Sequence, residues 1–206
     1  MRDSVRIESI LLAALVCPAW AQPEQPPPTG KKLPLLTRVE QIRKLTPTEA
    51  ARGYPVSLRG VVTYHDPQLG NLYVQDSTSG IYVETRGRNI TVPAGRLVKV
   101  EGISTPGQFA PNIGQPRFTD LGKARWPVAR RVTYAQLASG RETAQWVEVR
   151  GVVRAATLNA ARDRLELRVG VEGNLFRAVV QQAKHAAPAG LVDARVRLRG
   201  AVSYTH

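Results

Sequence analysis

Cysteine is nearly absent from this sequence: among 206 residues the only one is Cys17. It lies in an amino-terminal segment that we predict is cleaved off, so the mature chain would hold none. Disulfide frameworks and cysteine-based catalysis or metal binding are therefore excluded for the mature chain. Histidine is almost as scarce, and His65, His185 and His206 have no carboxylate or cysteine at the spacing of metal ligands. We expect no metal site and no cofactor.

Long apolar runs are also missing. The main candidate, residues 10–17, is less than half of the roughly 20 residues that a membrane-spanning helix needs. Arg2 and Arg6 precede this run, and the A-W-A tripeptide at 19–21 follows it as a small-x-small cleavage site, which is typical of an export signal. We predict a signal peptide at 1–21 and a periplasmic or secreted mature protein.

No motif of a familiar catalytic chemistry occurs: the sequence has no nucleophile elbow, no phosphate-binding loop and no H-E-x-x-H. His65, Asp66 and Pro67 offer an acid/base pair, but the same residue types form a tight turn after a strand, because Asp caps its own backbone and Pro fixes the next dihedral. Asp76 is interpreted in the same way, as a hairpin-turn residue. We expect a protein that is not an enzyme and has no catalytic residue.

Acidic residues are outnumbered: 16 Asp and Glu face 29 Lys and Arg, for a formal charge of +13. Such a charge favours anionic partners, among them nucleic acids, anionic glycans, phospholipid head groups and acidic small ligands. Alternatively, the arginines lie singly on the solvent-facing positions of strands. Net charge alone does not decide between these interpretations.

The most informative pattern that is present is an internal duplication. The motif V-x-[LV]-R-G-V-V occurs at 56–62 and at 147–153, and a second strand-like segment ending in Gly occurs at 97–102 and at 195–200. A glycine inside a strand marks a bulge or a sharp bend, and a small closed barrel needs such bends. The duplication predicts an all-β protein with short helices, built from two consecutive small barrels.

The repeat also sets the predicted domains. Residues 22–32 (QPEQPPPTGKK) are rich in proline and poor in apolar residues, which is typical of a flexible or polyproline linker. The first domain is predicted at 33–128 and the second at 129–206. Each is expected to start with a short helix introduced by a capping box. The boxes begin at Thr37, Thr46 and Thr133.

Two strands joined by a polar loop, 72–75 and 81–84, resemble the Y-V-Q-D-x-T-x-G-I-x-V hairpin of bacterial OB (oligonucleotide/oligosaccharide-binding) domains. The resemblance implies that the fold is two consecutive OB-like five-stranded Greek-key barrels, a type of barrel that commonly holds a ligand against strands 2 and 3. With the segments at 45–51, 58–64 and 102–111, the sequence is similar to the extracytoplasmic part of certain bacterial membrane sensor histidine kinases.

That resemblance, which covers about 33–202, implies a sensory module that a transmembrane helix and a kinase follow in such proteins. Here the sequence stops at His206, just after the penultimate strand of the second repeat. We therefore expect an incomplete second barrel, a truncated signalling protein and no kinase activity.

Strand alternation gives a candidate ligand surface. If the aliphatic residues of the hairpin fill the barrel, the alternate side chains face outward beside Arg59, and they are Tyr73, Gln75, Tyr82 and Glu84. Aromatic rings beside an arginine can stack a base or a sugar. Alternatively, the tyrosines pair across the strands or pack under the neighbouring domain or a partner. A second candidate is the loop predicted at 106–116, with Phe109 and Asn112, although a Pro-rich loop can also seal the barrel mouth.

The leading hypothesis is a periplasmic, non-catalytic sensory module of a histidine kinase-like protein, which binds a small ligand or a periplasmic protein and thereby biases the geometry between the barrels. The alternative is a secreted OB-fold protein that binds single-stranded nucleic acid or anionic glycan. A structural spacer is the third option.

Overall fold

The computed structural model describes residues 32–203. The signal peptide predicted at 1–21, nearly all of the linker predicted at 22–32, and His206 lie outside the described residues. The described residues from Leu33 onward belong to one compact unit. The division at 128/129 therefore stays a prediction. Among the described residues, no helix has the length and apolar character needed to cross a membrane.

The first repeat forms a closed barrel with the strand order β1-β2-β3-β5-β4. The strands are β1 (Pro55–Asp66), β2 (Asn71–Gln75), β3 (Gly80–Glu84), β4 (Arg96–Thr105) and β5 (Asn112–Lys123). Neighbours are antiparallel except for β3 and β5, which run parallel. This is the strand order of the OB Greek-key barrel, so the predicted fold class is confirmed.

The core of the barrel follows the alternation predicted for the hairpin. Leu72, Val74, Ile81 and Val83 all point inward and are 0% exposed. Because side chains of a strand alternate between its two faces, their neighbours are directed outward. The inward assignment is therefore confirmed.

Two short helices precede the barrel, α1 (Val39–Arg43) and α2 (Pro47–Ala50). The predicted capping box of α2 is present, with Thr46 Oγ1 accepting from Glu49 N at 3.2 Å. The box predicted at Thr37 is wrong by one position, because the N-cap is Arg38. The first free amide of α1, Val39 N, donates to Asp76 Oδ2 of the β2–β3 hairpin at 2.8 Å, so a tertiary contact caps the helix.

The segment predicted as a long loop at 106–116 is a six-residue loop followed by a strand, since β5 already begins at Asn112. The register between β4 and β5 shifts between Glu101 and Ile103. Opposite this shift, β5 contains Gln115, with a φ of 49°, followed by Pro116. A bulge tolerates a proline because the ladder is already interrupted there. The glycine and proline of this segment therefore predict a loop where the structure has a strand.

The second repeat forms an open sheet with the order β10-β7-β8-β9. Its strands are β6 (Arg130–Arg131), which pairs with β7, then β7 (Trp146–Asn159), β8 (Arg164–Val171), β9 (Asn174–Gln181) and β10 (Arg195–Ala201). Helix α3 (Tyr134–Ala138) begins at the predicted capping residue Thr133. Within residues 32–203 there is no counterpart of β5, so this barrel is incomplete, as predicted.

The duplication is visible in strand register. Arg59 of β1 lies opposite Lys99 of β4, and the corresponding Arg150 of β7 lies opposite Arg197 of β10. Both repeats therefore place two cations face to face across the same pair of strands. Each repeat also has its own hydrophobic core cluster.

Candidate functional site

The outward face of the β2–β3 hairpin is not an open platform. Tyr73 is 5% exposed, and its hydroxyl donates to Ser203 Oγ at 2.8 Å. Its ring lies 5.9 Å from that of Tyr64 and 5.7 Å from that of Tyr82. The prediction that Tyr73 offers a stacking surface is therefore wrong, because the end of the second repeat covers it.

Tyr82 is half-buried beside Tyr73 and donates to Gly70 O at 3.1 Å. Burial is the main cause that raises the pKa values of both Tyr73 and Tyr82. The two rings lie directly opposite each other in the β2–β3 register. The structure therefore contains the alternative arrangement, in which the tyrosines pair across the two strands.

The same hairpin is the docking surface for the second repeat. Gln75 Oε1 accepts from Trp146 N at 2.8 Å, and Gln145 Nε2 donates to Ser79 Oγ at 2.8 Å. A Cβ atom at Gly80 would lie 2.0 Å from Ala144 O. The backbones approach so closely that glycine is required at this position.

A buried ion pair completes this interface. Arg164, at the start of β8, donates through Nη2 to Asp66 Oδ2 at 2.6 Å, and the two residues are 8% and 1% exposed. The other oxygen of Asp66 accepts from the amides of Gln68 and Leu69 at 3.1 and 3.2 Å. The predicted turn role of Asp66 is confirmed, and the ion pair is an additional role that the sequence did not indicate.

An open groove of about 970 Å³ lies on the outer face of β1 and β4. Its lining includes Arg59 and Lys99 from the paired strands, Arg38 and Asp76, and Arg125 with residues 127–128. Of the six predicted site residues, Arg59 and Gln75 are in this groove. Its lining contains no aromatic side chain.

The groove is strongly cationic. Four of its lining residues are basic: Arg38, Arg59, Lys99 and Arg125. The one lining carboxylate, Asp76, is occupied, since it accepts from the amides of Val39, Thr78 and Ser79. Like charges directly opposite across two strands destabilise a sheet, so the Arg59–Lys99 pair has no structural advantage of its own.

Two of these cations are partly neutralised. Lys99 Nζ lies 2.7 Å from Glu101 Oε1, and this hydrogen bond lowers the pKa of Glu101; Arg38 lies 3.7 Å from Glu40. All these side chains are exposed, where ion pairs contribute little. Arg59 and Arg125 form no ion pair with any residue of 32–203.

The predicted loop site lies elsewhere. Phe109 is 46% exposed and lines a smaller pocket with Arg43, Pro47 and residues 139–141. Asn112 is the first residue of β5 and is half-buried, and a Cβ atom at Gly107 would lie 2.5 Å from its Nδ2. Its role at a ligand rim stays a prediction.

The six predicted residues thus lie in three places: the groove, the β2–β3 hairpin, and the loop before β5 with the first residue of that strand. Sequence reasoning missed the groove residues Lys99, Arg125 and Arg38. Lys99 could have been found, because alternation in β4 directs it outward and the repeat pairs β4 with β1. Alternation gives no such signal for Arg125 and Arg38, since both lie outside the strands. No group of three His, Cys, Asp or Glu side chains suited to a metal ion occurs in the described part of the chain.

No family model matches the chain, and no curated protein matches it. Solved structures that it resembles include the hypothetical protein ygiW from E. coli, with 22% identity over 45% of this chain and 94% of that one, at a TM-score of 0.31. The p204 HINb domain is 13% identical over 71% of this chain and 86% of that one, with a TM-score of 0.32. A murine DNA binding protein bound with ds DNA is 13% identical over 61% of this chain and 76% of that one, with a TM-score of 0.31. At such TM-scores these likenesses carry no argument about what this chain binds.

Proposed function

We propose that this protein is a non-catalytic module that binds an extended anionic polymer in the β1–β4 groove. The observation that carries the proposal is the exposed Arg59, which faces Lys99 across the strands and has no acidic partner among residues 32–203. Arg38 and Arg125, which also line the groove, add to this positive charge. An anion that lies between Arg59 and Lys99 relieves their repulsion.

The chemistry of the lining favours recognition by charge. Stacking of bases needs a flat ring, and none of the described residues that line the groove is aromatic. Single-stranded nucleic acid and anionic glycan both present regularly spaced negative charges, and both remain ligands of this type. Binding of either should weaken steeply as salt rises, because association releases counterions.

Binding of labelled single-stranded DNA and of a labelled polyuronate, each measured by fluorescence anisotropy at several salt concentrations, tests the proposal. Arg59→Ala should weaken binding and make the slope of log K against log salt shallower by about 0.7 for DNA, which is the loss of one phosphate contact. Arg88→Ala is the matched control, since it removes an exposed arginine of the same barrel that is not in the groove.

Absence of binding to either polymer at low salt would overturn the proposal. Equal weakening by Arg88→Ala and Arg59→Ala would also overturn it, because the charge would then act without a site. Binding of only one polymer identifies the ligand class.

We also propose that the module is the exported sensory end of a histidine kinase-like signalling protein, as the sequence resemblance implies. One observation favours this role: Arg125 and residues 127–128, which line the groove, belong to the connector that leads into the second repeat. A ligand in the groove therefore contacts the segment that joins the repeats. Addition of the polymer that binds should slow amide exchange in 124–131; unchanged exchange there would argue against a sensory role.

A further inference from the structure

The outward face of β7 and β10 is a second cationic surface of the chain. Alternate residues of β7 are directed away from the core of the second repeat, and the paired strands β6 and β10 add arginines beside them. We call this surface the arginine face. Its charged residues are Arg131, Glu148, Arg150, Arg197 and Arg199, of which the four arginines are exposed. Four cations thus accompany one carboxylate.

The carboxylate of the arginine face is already occupied. Glu148 Oε1 accepts from Arg150 Nε at 3.1 Å, its Oε2 accepts from Arg199 Nε at 3.0 Å, and the residue is 7% exposed. Arg131 and Arg197 form no ion pair with any residue of 32–203. The arginine face therefore presents hydrogen-bond donors and positive charge to an outside ligand.

A pair of tryptophans lies at one end of the arginine face. Trp146 is two residues before Glu148 in β7 and so shares its side of the strand. Trp126 stacks on Trp146, with ring centroids 4.7 Å apart and planes 24° from parallel, and a Cβ atom at Gly95 would lie 3.4 Å from its Cζ2. Tryptophan is highly buried on average, yet Trp126 is 47% exposed. Packing therefore holds a large, exposed aromatic ring in place.

The connector between the repeats joins the arginine face to the groove. Arg125 and residues 127–128 line the groove, whereas Trp126, between them in the chain, stacks on the second repeat. Consecutive Cα atoms are only about 3.8 Å apart. One extended polymer can therefore contact both surfaces.

The exposure of the arginine face does not depend on how its sheet is closed. In the first repeat β5 pairs with the far edge of β4, and the outward face of β1 and β4 still forms the open groove. A strand that pairs with the far edge of β10 would leave the arginine face open in the same way.

We propose that Trp126 and the arginine face form a second binding site, which takes one base and the adjacent phosphates of a single-stranded nucleic acid. The inference rests on the proposed function, because the same polymer occupies the groove, and it selects nucleic acid from the two ligand classes named there. Phosphate oxygens only accept hydrogen bonds, which suits a face of donors, whereas sugar hydroxyls also donate and would find the carboxylate occupied. A base adds a third flat ring to the tryptophan stack.

Two labelled oligomers of equal length test this inference: oligothymidylate and a sugar–phosphate oligomer that lacks bases. Fluorescence anisotropy with the full chain measures the binding of both, and the labelled polyuronate is the third ligand. Oligothymidylate should bind about tenfold more tightly than the abasic oligomer at the same salt concentration, which is the gain expected from one stacked base. Recognition by charge alone would give equal affinities, because both oligomers carry the same phosphates.

Four variants make the test specific. Trp126→Leu should remove the tenfold preference and leave binding of the abasic oligomer and the polyuronate unchanged, because no charge is lost. Trp126→Phe should keep part of the preference, since it keeps a ring. Arg131→Ala should weaken binding of both oligomers and make the slope of log K against log salt shallower by about 0.7. Leu175→Ala is the control, because it shortens an exposed apolar side chain of β9, outside the arginine face.

Three outcomes would overturn the inference. The first is equal affinity of the wild type for the two oligomers, and the second is a preference that persists in Trp126→Leu. The third is weaker polyuronate binding by Trp126→Leu, since the ring would then serve a sugar. The proposed function stands in all three cases if Arg59→Ala still weakens binding. Failure of all three ligands to bind at low salt would overturn both.

Discussion

The two repeats start from nearly the same strand sequences and reach different degrees of closure. β1 and β7 share V-x-[LV]-R-G-V-V and pair with β4 and β10 in the same register. The first repeat buries its core fully, but the second leaves Val196 and Leu198 half-exposed. Strand formation and register are therefore local properties of the motif, whereas burial depends on whether a fifth strand closes the barrel.

If the second sheet is not closed by its own strands, its docking onto the first barrel must contribute much of its stability. The buried Asp66–Arg164 ion pair is one contact of that kind. Arg164→Leu leaves Asp66 buried and uncompensated, and should lower the free energy of unfolding of the second repeat by about 3 kcal/mol. Hydrogen exchange resolves this loss, which should be concentrated in β7 to β10 and small in β1 to β5.

The double variant Asp66→Asn with Arg164→Leu is the control for that prediction. Asparagine keeps the oxygen that accepts from Gln68 N but carries no charge. Most of the stability should return, because the penalty lies in the unpaired charge and not in the missing contact. Equal destabilisation of both repeats by the single variant would contradict the view that docking holds the second sheet.

A matched pair of core substitutions compares the two repeats directly. Val98→Ala removes two methyl groups from a fully buried site and should cost about 2 kcal/mol, whereas Val196→Ala, at the equivalent half-buried site, should cost less than about 1 kcal/mol. Urea denaturation measures both costs, provided that the dependence of the free energy of unfolding on urea is the same in the variants as in the wild type. Equal costs would mean that β10 is covered in solution, as a bound strand or a second copy would cover it.

The smallest expected effect concerns the interface between the repeats at alkaline pH. Burial, with help from Asp66, raises the pKa of Tyr64 from 10.0 to about 12. Since the neutral phenol is favoured in the folded state, its contribution is complete below about pH 10 and is lost as pH rises toward 12. Circular dichroism at increasing pH should show part of this loss, and Tyr64→Phe should remove that part. An identical pH profile for Tyr64→Phe would contradict the assignment.

Much of the fold could be predicted from the sequence, but one strand and most of the site could not. The hairpin, the repeated strands and the turn at Asp66 carry strong local signals, namely alternation, glycine and Asx-turn chemistry. The loop predicted at 106–116 includes the first five residues of β5, because Gly114 and Pro116 hide a bulged strand. Tyr73 was correctly directed outward, yet its exposure depended on what packs against it.

The sequence by itself determined the hairpin, the repeated strands and the inward or outward direction of their side chains, because these follow from interactions between residues that are close in the chain. Only the tertiary structure decided which outward face stays open. The second repeat docks on β2 and β3, so the tyrosines are covered and the basic β1–β4 face remains accessible. That choice depends on contacts between residues as distant in sequence as Asp66 and Arg164, and no local pattern encodes it.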